Sequence, residues 1–117
     1  MKGSHEAIWW ALFSAGGVVA AMVIPVLVFV TLVGPGLGFD LFIDAVSYDR
    51  FIVLLGHPIV KLFLLPTIFL SLFHAFHRIR HLIIDLHMPV SKLLVASLSY
   101  SLAAAGTIAA AIVLWQI

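Results

Sequence analysis

Long apolar runs separated by short polar breaks organise the chain, and the runs exceed the length of the usual core helix of a water-soluble domain. The first, residues 7–33, contains no ionisable side chain after Glu6. It amounts to about 27 residues and ~40 Å of helix, more than a ~30 Å hydrocarbon layer needs, so it must tilt or begin in the interface. Trp9 and Trp10 at its start suit the headgroup level, and Pro25 predicts a kink. Gly34-Pro35-Gly36 predicts the helix stop, because proline blocks continuation and glycine permits positive φ. A connector, 34–57, carries Asp40, Asp44, Asp49 and Arg50. Within it Ser47 as N-cap opens a predicted interfacial helix to Gly56, with Phe51, Ile52, Leu54 and Leu55 towards lipid. Pro58 suits the first turn of a second span, 58–86, where its missing N–H costs nothing. Pro66 should bend that span, and Thr67 or Ser71 is near enough to serve the carbonyl freed at Leu62. His87-Met88-Pro89 reverses the chain into a third span, 90–115. The pattern predicts an all-α membrane protein with three transmembrane helices in one domain, 1–117.

Composition agrees. Of 117 residues, 64% are hydrophobic and 9% charged, against roughly 45–50% and 25% in a soluble domain. A water-soluble fold is thereby excluded, and three spans leave no room for a catalytic domain. Net charge is +1 without a basic run, which argues against nucleic acid as a partner and against purely electrostatic attachment to lipid. Cysteine is absent, so disulfides, thiolate metal sites and cysteine nucleophiles are excluded. The weakly charged start leads into a run longer than a signal-peptide core, so the first span is expected to be retained; no lipidation motif is present. Lys2, Arg78, Arg80 and Lys92 lie on one side against Arg50 on the other. The N-terminus and the 87–89 turn are therefore expected in the cytoplasm and the C-terminus outside, with Lys61 snorkelling in the outer leaflet.

Small residues recur at helical spacing as Gly16 with Ala20, Gly17 with Ala21, and Ser97, Ser101, Ala105 and Ala109. Such faces let helix backbones approach closely, either within the chain or against a partner.

One constellation stands apart. His74, His77, Arg78, His81 and Asp85 fall within roughly 100° of helical arc at the end of the second span, whereas Arg80 points away and reads as a phosphate anchor. Ionisable groups in one row inside a membrane normally face protein or a water-filled cavity and mark a functional pathway. Three readings compete with plain interfacial anchoring, in which Asp85 neutralises a neighbouring cation. In a quinone pocket, arginine or histidine donates to a quinone carbonyl, Asp85 assists proton relay, and Trp10 and Phe13 on one face of the first span close the pocket. In a haem b site, His74 would be an axial ligand beside Phe73, Phe76 and Leu72, with the second axial ligand from a partner and Arg78 on a propionate. In a bare metal site, His74, His77 and His81 would approach one ion, without a deep carboxylate.

The stretch Glu6-Ala7-Ile8-Trp9-Trp10-Ala11-Leu12-Phe13-Ser14-Ala15-Gly16-Gly17, the motif His77-Arg78-Ile79-Arg80-His81 followed by Pro89, and Ser47-Tyr48-Asp49-Arg50 closely resemble the D subunit of bacterial fumarate reductase. The likeness covers nearly the whole chain. It implies a hydrophobic anchor in the bacterial cytoplasmic membrane that, with the membrane-embedded C subunit, tethers the iron–sulfur B and flavoprotein A subunits. It also implies a share in the menaquinol site of anaerobic respiration, with FAD and the iron–sulfur clusters confined to the partners. The quinol-site positions carry over to Trp10, Phe13, His77, Arg78 and His81, with His77 expected to orient Arg78; Ser14 stands where glycine is common in that family. The run from His74 to His81 and Asp85 is also similar to the haem-bearing helix of succinate dehydrogenase anchors, which keeps His74 as the alternative haem ligand. A purely structural anchor is the remaining alternative.

Overall fold

A computed structural model describes the backbone of residues 2–117 and side chains from Glu6 onward, so the side chain of Lys2, counted above for orientation, lies outside the described residues. The first helix, α1 (Lys2–Val28), leads to a stop within the predicted cluster 34–36, though not by α geometry throughout. It runs on through a π-helical turn, Phe29–Val33, and an α-helical turn, Gly34–Gly36, giving a predominantly apolar span of 31 residues from Glu6 to Gly36. The physical reason is local. In α geometry the Pro35 ring would press on the Thr31 carbonyl, and the wider turn, in which the Gly34 N–H reaches the Phe29 carbonyl, relieves that clash without ending the helix. The helix ends at Gly36, and Gly38 beyond it, with a left-handed φ of 85°, turns the chain.

A short helix that the pattern did not predict, α2 (Asp40–Ala45), then folds back so that the Phe42 ring covers Gly34 and meets Phe29 edge-on at 5.6 Å. Arg50 in α3 (Tyr48–Gly56) pairs with Asp44 and ties the two helices together. Ser47 holds the N-cap position, but its side chain makes no capping bond; its carbonyl accepts from the Phe51 N–H. The expected lipid face of α3 is largely reversed. Phe51, Ile52 and Leu55 are half-buried, and α3 packs on the following helix, whereas Val53 and Leu54 are exposed.

Span two is α4 (Pro58–Asp85), capped by the His57 Nδ1, which accepts from the Ile59 N–H at 3.2 Å. Thr67 sits beside Pro66, but its hydroxyl donates to Phe63 O at 2.7 Å and not to Leu62, while the Ser71 hydroxyl is buried without a partner. The chain reverses at His87, which has φ 53°, and Ser91 Oγ accepts from Leu94 N–H to start α5 (Lys92–Gln116).

Helix α4 lies between the other two, and α1 and α5 form no seam of their own among the described residues. Gly16 makes the α1–α4 approach possible: a Cβ there would lie 2.5 Å from the Leu70 carbonyl oxygen and 2.8 Å from His74 Cβ. On the other side Val95, Ser99 and Ala103 are buried at successive i+4 positions of α5, and Gly106 receives Leu72. The predicted Ser97–Ser101–Ala105–Ala109 stripe is therefore not the intramolecular face; all four residues are exposed. A flat row of three helices cannot bury its broad sides, so Ile8, Val18, Met22, Leu32 and Leu102 all remain more than half exposed. In a membrane these sides meet lipid or neighbouring subunits.

Candidate functional site

Phe73 is the pivot of the arrangement. It is 6% exposed at the middle of α4 and stacks on Trp9 at 5.8 Å, Phe69 at 6.4 Å, Tyr100 at 5.7 Å and His77 at 5.8 Å, so rings from all three spans converge on it. Offset stacks of this kind fix ring planes as well as burying area. His77, one turn further along α4, inherits a defined orientation.

From His77 a row of rings runs out to the surface. Trp10 meets Phe13 edge-on at 6.1 Å, Phe13 lies 4.7 Å from His77, and His77 lies 4.5 Å from His81. Trp10, 66% exposed, and the exposed His81 end the row, and Arg78 is exposed on the same turns of α4. The structure thus brings together four of the five residues expected at a quinone pocket, and leaves Arg78 beside them with no intramolecular hydrogen bond or ion pair among the described residues. Asp85 is also exposed. The expectation that it neutralises a neighbouring cation is not met, since Arg50–Asp44 is the only ion pair among the described residues.

His74 is turned the other way. Its ring stacks on Phe13 at 4.5 Å, its Nδ1 lies 3.1 Å from the Phe13 carbonyl oxygen, and it covers Gly17, where a Cβ would be 3.0 Å from Cε1 and 3.7 Å from Nε2. It is part of the α1–α4 seam. His74, His77 and His81 accordingly do not converge, and no group of three or more metal-ligating side chains is found among the described residues.

Two residues were missed or misread from the sequence. Tyr100 of α5 holds its hydroxyl 2.9 Å from His77 Nδ1, and Arg80 donates to the same hydroxyl at 3.2 Å with its guanidinium over the Tyr100 ring at 5.7 Å. Arg80 is therefore no phosphate anchor; it is half-buried between α4 and α5, with Nε buried and unpartnered. The available signal was partial: three residues after His77, Arg80 lies about 60° from it around the helix, beside the stripe but outside it. At the opposite end of the protein the Lys61 amine lies over the Trp115 ring at 5.9 Å, a cation–π contact between α4 and α5.

Comparison with known proteins decides which family carries this arrangement. The family model described as the D subunit of fumarate reductase matches residues 1–115. The chain belongs to that family. The fumarate reductase D subunit of Vibrio vulnificus is 40% identical over 85 residues, covering 73% of this chain and 67% of the relative. That of Shewanella putrefaciens is 40% identical over 88 residues, covering 74% and 71%. That of Mycobacterium tuberculosis is 42% identical over 80 residues, covering 68% and 61%. As a member of this family with three apolar helices, the chain is an integral membrane anchor of fumarate reductase and works in a complex with other subunits of that enzyme. The broad exposed sides of its helix row suit such a complex.

Proposed function

We propose that this chain supplies one wall of the menaquinol-oxidising site of fumarate reductase. With the membrane-embedded C subunit it would also tether the iron–sulfur B and flavoprotein A subunits to the cytoplasmic face of the bacterial inner membrane. The observation that carries the reading is the ordered row Trp10–Phe13–His77–His81, ending at a surface where Arg78 makes no hydrogen bond or ion pair among the described residues. A cation held in a membrane helix without a counter-charge is costly unless a ligand or a neighbouring protein meets it.

Menaquinol oxidation releases two electrons and two protons. The partner subunits would supply the iron–sulfur clusters and flavin that accept these two electrons, and fumarate would take up two electrons and two protons there to become succinate. This chain never touches fumarate. Its part is to bind and orient the quinol: Trp10 and Phe13 against the ring or its first isoprene, Arg78 as a cationic donor to the oxygen on which charge develops, and His81 as the exposed imidazole that takes a proton. Asp85, one turn beyond His81 and exposed, would carry that proton towards the cytoplasm. His77 makes no hydrogen bond to Arg78 and so does not orient it as expected; its role is taken up below.

The site is read as free of haem b. What supports this is the packing of His74 in the α1–α4 seam, stacked on Phe13 at 4.5 Å, with Nδ1 3.1 Å from the Phe13 carbonyl oxygen and its Cε1 edge over Gly17. The purified complex is expected to give no pyridine haemochrome signal and no haem b band in a reduced-minus-oxidised spectrum; a stoichiometric signal lost on His74→Leu would reverse the assignment. The proposed topology places the N-terminus and the 87–89 turn in the cytoplasm and the C-terminus in the periplasm. Alkaline phosphatase fused after Ile117 should be active and the same fusion after His87 inactive; the converse pattern would invert the orientation and with it the side on which the partners dock.

A further inference from the structure

We infer that Tyr100, held by Arg80, is a positioning residue for the quinol site that acts by fixing which nitrogen of His77 carries the proton. The inference rests on the reading of His77 as part of that site. Arg80 has only donors, so its contact with the Tyr100 oxygen at 3.2 Å occupies one of that oxygen's lone pairs. The phenol proton then needs an acceptor. The acceptor the structure places beside it is His77 Nδ1 at 2.9 Å; if His77 donated instead, the phenol proton would be left without a partner in this part-buried seam, at the cost of a hydrogen bond. The chain of donation therefore runs from Arg80 to Tyr100 to His77 Nδ1.

With Nδ1 accepting, a neutral His77 carries its proton on Nε2, because the hydrogen bond at one ring nitrogen decides the state of the other. His77 thereby offers the quinol side of its ring a donor, complementing Arg78, while His81 remains the proton acceptor. The geometry also explains why a cation is kept here. Arg80 lies against the ring and hydroxyl of Tyr100, has no carboxylate partner among the described residues and leaves its Nε unsatisfied. Packing alone would be served as well by an apolar side chain, whereas orienting the phenol proton needs a fixed donor. Three contacts hold the other side of the device: His77 is stacked by Phe73 and flanked by Phe13, and Tyr100 itself stacks on Phe73, so neither ring is free to turn away.

The test is a double-mutant cycle in the whole membrane-bound complex, assayed with a short-chain menaquinol and fumarate, with dye-linked fumarate reduction as the measure of assembly. Tyr100→Phe keeps the stacked ring and removes only the hydroxyl. It is expected to lower kcat for menaquinol by about tenfold, the scale of one lost net hydrogen bond, with KM within about twofold and dye-linked activity unchanged. In a His77→Phe background the same substitution should change kcat by less than about twofold. Arg80→Lys, which keeps a donor, should retain more turnover than Arg80→Met. A Tyr100→Phe effect of equal size in both backgrounds would make Tyr100 a packing residue and overturn the inference. So would wild-type turnover in Tyr100→Phe while His77→Phe and Arg78→Leu are impaired, an outcome that leaves the site reading standing. If His77→Phe and Arg78→Leu themselves turn over menaquinol normally, the site reading fails and the inference with it.

Discussion

Replacing Arg78 with leucine is expected to cut menaquinol-linked fumarate reduction by about a hundredfold or more, the cost typical of losing one fixed donor to a developing oxyanion. Dye-linked reduction by the same membranes should stay within about twofold of wild type. The expectation rests on what Arg78 does not do. It is exposed, and among the described residues it makes no hydrogen bond or ion pair within the chain, so leucine removes nothing that α4 needs in order to pack. Arg78→Lys separates charge from shape. A lysine there keeps the positive charge but lacks the planar fork, and an intermediate loss of about tenfold would mean that the geometry of the donor matters as much as its sign. Parallel loss of both activities in Arg78→Leu would mean instead that Arg78 holds a neighbouring protein of the complex, and a wild-type rate with menaquinol would remove it from the site altogether.

The same residues show which parts of the protein are legible in its sequence. Three spans could be read because insertion into lipid is decided by summed apolar length, which no tertiary contact overrides. The ring row was half legible: i, i+3 and i, i+4 spacing puts Trp10 with Phe13 and His77 with His81, but nothing in either segment says that Phe13 would come to rest beside His77. Tyr100 was invisible for the same reason, being 20 or more residues from both groups it bonds. Arg80 was misread because a helical wheel gives direction without neighbours. Its angle departs from the histidine stripe, and only the position of α5 turns that departure into an interface. The stop at 34–36 was legible in place but not in mechanism. A single π-helical turn accommodates Pro35, so proline does not itself break the helix, and the chain leaves it after Gly36 and turns at Gly38.

Gly16 should behave in the opposite way to Arg78 in the same pair of assays. Its missing side chain is what allows α1 to lie on α4: a Cβ would stand 2.5 Å from the backbone oxygen of Leu70, and a helix backbone cannot move aside as a side-chain tip can. Even Gly16→Ala must push the two helices apart, and Gly16→Val must do so further. In lipid, where close backbone packing is a main source of helix association, overpacking of this kind costs about 1–3 kcal/mol and separates Trp9, Phe13 and Gly17 from the α4 residues they cover. Gly16→Val is therefore expected to remove most dye-linked activity from the membrane fraction, with the catalytic subunits appearing in the soluble fraction and menaquinol-linked activity falling in step. Gly106→Ala is the matched comparison. The Cβ there meets a Leu72 Cδ1 at 2.8 Å, the far end of a side chain that can rotate, so membrane-bound activity should be within about twofold of wild type. If Gly16→Val leaves the catalytic subunits on the membrane, the α1–α4 seam is dispensable for anchoring, and attachment must come from the broad faces that the helix row leaves open.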